Sequence, residues 1–475
     1  MSSQKSNIEH PDSPNPQNVG GSDAVTAPPE EVELTIESLA AGGRGVARHE
    51  GRVWFVRGGL PEDRLVARVE REKDRFVEAH SVRLVSPSPL RRSSPCAVSE
   101  NCGGCPWISL PEALQGEWKW KLVRDALQRI GGFEGLEPEP LQQPVAALGY
   151  RDRVEFSLRH EPDGQGSRLG LWGHDNSGAR ALVPTPRCEI QSEGANTILK
   201  SLRELCGVAT DADRILIRRA STERYTIGIW QIGPKRGSKE TLLSLAKELM
   251  ERHPEIAGVV KLRARPGQRG GIHSESILGS GVIQEQIAGE SFALYPTTFT
   301  QVSRSGGDAL VELVGTLAGD LNGKTAWDLY GGVGAYGVRL ARLGAEKVFV
   351  CEADAGAIAA GKRTAEEAKI PALRYVRGDV GRFLRERRDA DVDLIVANPP
   401  RGGFAPGVAR ALVERKAARL ILVSCDPATL ARDLKRLVRS GYQIEKIVPV
   451  DLFPQTAHVE TVTSLRLADV EAKDG

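Results

Sequence analysis

Cys425 closes an apolar run, Arg-Leu-Ile-Leu-Val-Ser-Cys, and stands directly before Asp426 and a proline that can open a helix. A thiol at a helix N-terminus ionises more readily, so the setting suits a nucleophile. It equally suits a small buried hydrophobe at a strand end. Downstream, Phe-Pro-Gln-Thr-Ala-His458-Val-Glu460 sets a histidine and an acid in a polar break between two apolar runs, where Glu460 could move a proton or face solvent. A third group lies upstream. Asp328-Leu-Tyr-Gly-Gly-Val-Gly-Ala-Tyr-Gly337 contains G-x-G-x-x-G at Gly332, Gly334 and Gly337, and Glu352 ends the next apolar run twenty residues after Gly332. Glycines let a backbone approach a nucleotide closely, and an acid at that distance can hold ribose hydroxyls.

Two ligand classes fit this loop, a nicotinamide dinucleotide and S-adenosylmethionine. Asp328 beside the loop would repel a pyrophosphate and welcome a sulfonium donor with an amino group. The run Val-Asp-Leu-Ile-Val-Ala ends in Asn398-Pro-Pro-Arg401, a rigid loop of the kind that receives substrate at a sheet edge. The methyl donor is therefore the expected ligand. Cys96, Cys102 and Cys105 form a further constellation, with small residues Gly103 and Gly104 between the last two. Thiols set so close point to a metal, and their spacing accommodates zinc or an iron–sulfur cluster.

These residues need elements to position them. The chain has 475 residues, more than one core usually holds. Residues 1–30 are rich in Ser, Pro and Asn without apolar periodicity, and read as a disordered tail. Residues 31–86 alternate in short runs broken by glycine, the pattern of a small five-stranded β-barrel. Ser-Pro-Ser-Pro-Leu-Arg-Arg-Ser-Ser-Pro (86–95) reads as a linker. Residues 87–295 are expected to form a mixed α+β central domain, with a helix over 115–130. Residues 296–475 alternate strand and helix, predicting a Rossmann-like, mostly parallel sheet. The fold class is thus α/β with a small barrel in front.

Composition excludes other classes. Charged residues number 64 basic and 62 acidic, a balance that neither demands nor forbids nucleic acid. No apolar run reaches the length of a membrane span, and the N-terminus lacks the apolar core of an export signal. A cytoplasmic protein is expected, so its seven cysteines read as ligands or nucleophiles before disulfides.

Taken together, DLYGGVGAYGVRLA, NPPRGG, VSCDPATLARDL and FPQTAHVETVTSL resemble the RNA (uracil-5-)-methyltransferase family. The barrel and the cysteines resemble its branch with an N-terminal TRAM domain that acts on 23S ribosomal RNA. The resemblance covers about residues 31–470 and implies S-adenosylmethionine as methyl donor. It makes Cys425 the nucleophile on uracil C6 and Glu460 the base that removes the C5 proton. Gln301 (in Phe-Thr-Gln-Val-Ser), Tyr330, Glu352 and Asn398 become donor contacts, and Cys96, Cys102, Cys105 and Cys188 become ligands of a [4Fe-4S] cluster. The partner is RNA, 23S rRNA before tRNA, with the target base flipped out or single-stranded and Phe299 a candidate stacking surface. No obligate protein partner is evident.

Four positions depart from the family's usual pattern. Ser303 stands for Asn, Gly331 for Cys, Asn398 for Asp, and Asp426 for Asn. The last two changes are of opposite sense, which suggests side chains that face each other and have exchanged charge. Competing readings are an amino-methyltransferase built on Asn-Pro-Pro, an RNA-binding or assembly protein with a decayed site, and a dehydrogenase.

Overall fold

The computed structural model describes residues 31–160, 167–206, 212–231, 239–264, 272–387 and 391–468. The expected tail, residues 1–30, lies outside the described residues. The front of the chain forms one sheet of six strands, one more than the pattern predicts: β1 (Glu31–Thr35), β2 (Ser38–Leu39), β3 (Gly45–His49), β4 (Arg52–Arg57), β5 (Arg64–Glu72) and β6 (Phe76–Ser86). The additional strand is the two-residue β2, too short to carry a period-2 signal. Their order is β1-β5-β6-β4-β3-β2. Alternate side chains, among them Leu34, Trp54, Val56, Leu65 and Ala79, fill a separate small core.

The 86–95 stretch is docked on this barrel. Asp63 is fully buried and accepts hydrogen bonds from Leu60 N (2.6 Å), Ser88 N (2.9 Å) and the Arg91 guanidinium (2.6 and 2.7 Å). Helix α1 (Glu112–Ala126) follows and ends in a π-turn over Leu127–Gly131, closed by Gly132 at a φ of 75°. It therefore starts three residues before the expected helix.

The central part builds a seven-stranded sheet from β7 (Arg153–His160), β8 (Ser167–His174), β9 (Arg180–Pro184), β10 (Arg214–Arg219), β11 (Tyr225–Trp230), β12 (Ile256–Ala264) and β13 (Ile272–Gly279). Helices α2 (Glu193–Leu205) and α3 (Lys239–Arg252) lie between them in sequence. A hairpin, β14 (Ile283–Ile287) and β15 (Glu290–Leu294), leads to α4 (Arg304–Ala318).

The last third runs β16 (Thr325–Leu329), α5 (Ala335–Arg342), β17 (Lys347–Glu352), α6 (Ala355–Glu367), β18 (Leu373–Arg377), α7 (Val380–Glu386), β19 (Leu394–Ala397), α8 (Pro406–Val413), β20 (Arg419–Ser424), α9 (Pro427–Arg439), β21 (Tyr442–Val450) and β22 (Glu460–Leu467). Strand order is β18-β17-β16-β19-β20-β22-β21. The first five strands are parallel, and β22 inserts antiparallel between β20 and β21. One apolar core crosses the expected boundary at 295/296, joining Phe156, Ile227 and Val259 to Val314, Val350 and Ile421. Among the described residues no helix is long and apolar enough to cross a membrane.

The Asp63 latch gives a prediction. Asp63→Ala leaves Arg91 without its buried partner, which should cost about 3 kcal/mol. Urea denaturation should register that loss, and limited proteolysis should cut within residues 86–95 faster than in the unaltered protein.

Candidate active site

Parallel pairing of Leu329 with Ala397 puts Tyr330 and Asn398 next to each other, just past the carboxyl ends of β16 and β19. Strand order reverses there, the place where open sheets bind ligands. A cleft open to solvent lies at this edge, lined among others by Phe299, Gln301, Tyr330, Tyr336 and Asn398.

The glycine loop is shaped by sterics. Gly334 has a φ of 87°, and a Cβ there would lie 2.5 Å from the Tyr375 hydroxyl, so only glycine fits. Tyr330 holds a φ of 59°, backbone strain of the kind stored at binding sites. A Cβ on Gly331 would meet Val350 at 2.6 Å and the Asp328 carboxyl at 2.9 Å, so the cysteine of the usual pattern has no room here.

The two acids of the loop act from behind it. Glu352 accepts from Gly332 N (3.0 Å), Ala353 N (2.6 Å) and Asp354 N (2.8 Å), and it is not among the residues that line the cleft. Asp328, expected to face the donor's amino group, is instead fully buried; its Oδ2 accepts from Gly337 N (2.8 Å) and its Oδ1 has no partner. Burial, reinforced by the Glu352 charge, pushes its carboxyl up to about 7.

Gln301 is held from the central sheet, which sequence reasoning missed. Arg218 is only 2% exposed and donates to the carbonyls of Tyr295 (2.9 Å), Pro296 (3.2 Å) and Thr298 (2.6 Å) and to Thr300 Oγ1 (2.9 Å). Asp152 pins the far side, its N–H donating to Val302 O (2.7 Å) and its Oδ2 accepting from Arg304 N (2.9 Å). The intervening turn leaves Phe299 63% exposed at the cleft. A charged residue within the apolar run Arg-Ile-Leu-Ile-Arg-Arg-Ala was the one available signal for Arg218.

The other half of the site comes from strand register. Ser424 on β20 lies opposite Thr461 on β22. One step further along each strand brings Cys425 beside Glu460, though 35 residues separate them in sequence. Glu460 is buried and its Oε2 has no hydrogen-bond partner. Burial pushes its carboxyl up to about 7, while Arg401 pulls the other way. The Cys425 thiol is pushed up to about 11 by burial and by the charges of Glu460 and Asp426, again opposed by Arg401. The expected lowering by the α9 N-terminus is thus outweighed. Arg401 also lies 3.4 Å from His458 Nε2, and burial together with that cation pushes His458 down to about 4. Arg401 was visible only as part of the Asn-Pro-Pro-Arg motif, without a role.

Two departures from the family pattern resolve into helix caps. Asp426 Oδ1 accepts from Thr429 N (2.7 Å) at the start of α9, and Ser303 Oγ accepts from Gly306 N (3.4 Å) at the start of α4. Asn, Asp and Ser cap about equally well. Asn398 instead interacts with the Tyr336 phenol, so the side chains at 398 and 426 have separate partners and the expected charge exchange between them is not formed.

The cysteines converge from distant segments. Gly103 N donates to Trp172 O (3.2 Å), and Cys102 bridges to Gly173, where a Cβ would strike Asn101 O. Cys188 is gripped by Asn196, whose Oδ1 accepts from Cys188 N (2.9 Å) while its Nδ2 donates to Cys188 O (3.1 Å). Burial raises Cys105 most strongly, and Cys188, Cys102 and Cys96 raise it further; Cys188 is pushed up to about 11 by burial and by Cys102 and Cys96. Among the described residues, however, no three His, Cys, Asp or Glu side chains are arranged to hold one metal ion.

The chain matches the family described as tRNA (Uracil-5-)-methyltransferase over residues 291–467 and the TRAM domain over residues 29–82. It is 33% identical to an uncharacterised RNA methyltransferase of Gloeobacter violaceus over 91% of this chain and 96% of that one. A Thermotoga maritima protein of the same description is 30% identical, with 92% and 99% covered. Among solved structures, a tRNA (uracil-54, C5)-methyltransferase of Pyrococcus abyssi shares the fold, with a TM-score of 0.67 and 24% identity over 91% of this chain and all of that one.

The caps predict how substitutions behave. Ser303→Asn and Asp426→Asn keep a capping side chain and should shift stability by no more than a few tenths of a kcal/mol, whereas Asp426→Ala should cost about 1 kcal/mol. The pair Asn398→Asp with Asp426→Asn should be additive in thermal unfolding and in rate. A double variant better than the sum of its two single effects would restore the exchange idea.

Proposed function

Since the chain belongs to the RNA (uracil-5-)-methyltransferase family, an enzyme family, we propose that it methylates C5 of a uridine through a covalent adduct with Cys425. The observation carrying this reading is the register that sets Cys425 beside Glu460, with Arg401 facing both, near the cleft at the sheet edge. S-adenosylmethionine would supply an electrophilic methyl group, and the Pyrococcus abyssi enzyme of the same fold was solved with the demethylated form, S-adenosyl-L-homocysteine. Gln301, Tyr330 and Asn398 would hold it, with Glu352 acting through the backbone of Gly332.

Uracil C5 is a poor nucleophile until a thiolate adds to C6 and makes an enolate. Arg401 favours both the ionised thiol and developing negative charge beside it. The enolate carbon takes the methyl group. Glu460 then removes the C5 proton, the C6–S bond breaks, and Cys425 leaves as thiolate. A carboxyl held near 7 suits that last step, because a large share of it is ionised near neutral pH while it stays basic enough to accept the proton. Phe299, exposed at the cleft, offers a surface on which a displaced base can stack.

The finer target we infer is 23S rRNA before tRNA. The support is the resemblance of the front half, TRAM domain and cysteines together, to the rRNA branch. For the cysteines we infer a [4Fe-4S] cluster. Cys102, Cys105 and Cys188 have their proton affinity raised by burial and by neighbouring cysteines, which is costly for free thiols, and a multi-iron centre held by the four cysteines would relieve that cost. Protein purified without oxygen should carry about four irons and four sulfides per chain; their loss in Cys105→Ala is expected, and their absence from the unaltered protein would overturn the inference.

The deciding experiment supplies tritiated S-adenosylmethionine with rRNA and tRNA from cells lacking the gene, followed by nucleoside digestion. Label in 5-methyluridine from 23S rRNA, abolished by Cys425→Ser, is expected. Label in tRNA alone would move the target, and label in an amino-methylated base that survives Cys425→Ser would overturn the mechanism. Release of product from the methylated adduct, followed in a single turnover, should speed up about tenfold between pH 6 and pH 8 as Glu460 loses its proton. A flat single-turnover profile would exclude Glu460 as the group that titrates.

A further inference from the structure

The turn that delivers Glu460 is gripped from the opposite end of the chain. It runs from Asp451 through Val459, between β21 and β22. Lys119 on α1 is fully buried, pairs with Asp451 Oδ1 at 2.5 Å and donates to Phe453 O at 3.0 Å. Asp451 Oδ1 also accepts from Phe453 N (2.9 Å). One turn earlier on the same helix, Gln115 holds Gln455 twice, accepting from Gln455 N (2.7 Å) and donating to its Oε1 (2.9 Å).

Gln455 is the centre of this grip. It is fully buried with a φ of 71°, a conformation that a residue with a Cβ adopts only when its surroundings enforce it. Its Oε1 also accepts from Arg92, its Nε2 donates to Glu112 and to Ala147 O, and its carbonyl accepts from Trp107 N. Tyr150 donates to the neighbouring Pro454 O (3.1 Å). Ala457 packs against Trp107 and Leu110, and against Leu39 and Leu60 of the barrel.

Glu460 itself has nothing comparable. Its Oε2 lacks a hydrogen-bond partner, so the aim of the carboxylate depends on where the backbone enters β22. A buried base without side-chain restraint needs its precision from the layer behind it. The nucleophile and the cofactor loop are fixed elsewhere, by α9 and β16. We propose that Gln115, Lys119 and Gln455 are positioning residues for the base, and that their effect falls on proton removal and thiolate release, the steps after methyl transfer. This rests on the uridine C5 reading given above.

The two steps can be separated because a misplaced base strands the enzyme on its substrate: the C6–S bond forms, C5 is methylated, and neither the proton nor the sulfur leaves. Gln115→Met removes the grip on Gln455 with little change in volume. Lys119→Met with Asp451→Leu removes the ion pair without leaving a buried charge, a replacement that buried pairs often tolerate. Each would be mixed with S-adenosylmethionine and unmodified 23S rRNA and tRNA in a single turnover, and the RNA–protein adduct followed on a denaturing gel alongside Glu460→Gln. Adduct is expected to accumulate in all three, with product release slowed about 10- to 100-fold in the grip variants and donor affinity within about twofold of the unaltered protein by calorimetry. Release at the unaltered rate, or equal slowing of both steps without adduct, would overturn the positioning role. Adduct in Glu460→Gln but not in the grip variants would leave the reaction intact and remove this inference alone. Absence of adduct in Glu460→Gln, while the unaltered protein methylates, would overturn Glu460 as base and the positioning role with it.

Discussion

Two acidic groups set side by side, Glu460 buried and Cys425 partly buried, govern the rest of this architecture. Burial raises the proton affinity of both Glu460 and Cys425, and the Glu460 charge raises that of Cys425 further. Left alone, such a pair would sit protonated and inert. Arg401 is the cation that opposes both shifts, and its loop is tied to α9 by a hydrogen bond from Thr429 Oγ1 to Arg401 O (3.1 Å). Nucleophile, base and cation thus hang on three separate loops. None can move without changing the proton balance of the others. That explains why so much buried hydrogen bonding is spent on backbone turns rather than on the reacting side chains themselves.

The same logic extends to the cleft. A sheet edge alone supplies Tyr330 and Asn398, but Gln301 lies on a segment without regular structure, between Leu294 and α4. A loop of that length would sample many conformations. Arg218 and Asp152 remove that freedom by satisfying its carbonyls and amides from the central sheet. The central part is therefore a template for the cofactor edge, and the apolar core that runs unbroken between them is its mechanical counterpart.

Much of this was legible in the residues. The alternation of apolar runs and helices from 325 onward dictated a parallel sheet, and Cys425 was visible at a strand end because an apolar run stops there beside a proline. What could not be read was adjacency. Linear order puts β21 before β22, and only the antiparallel insertion of β22 against β20 brings Glu460 to Cys425. Lys119 and Gln115 look like polar positions of an amphipathic helix, and nothing local marks them as buried partners of residues more than 330 positions away. Electrostatics were misjudged where desolvation competes with a dipole. The helix behind Cys425 was visible, but the depth at which the thiol lies was not.

The departures at the site also follow from charge. Tyr336 lies within reach of Asn398, Glu460 and Asp328. Two of these are carboxyls already pushed up to about 7 by burial. A carboxylate at 398 would add a third acid to that water-poor corner, and each added negative charge raises the proton affinity of its neighbours. The amide fills the place and keeps the interaction with the Tyr336 phenol while adding no charge. Asp426, by contrast, can carry a charge because its carboxylate caps α9 and faces the positive end of that helix. The acid stands where backbone N–H groups can hold it, the amide beside the Tyr336 phenol. The positions of charge around Cys425 are thus set by what the backbone can neutralise.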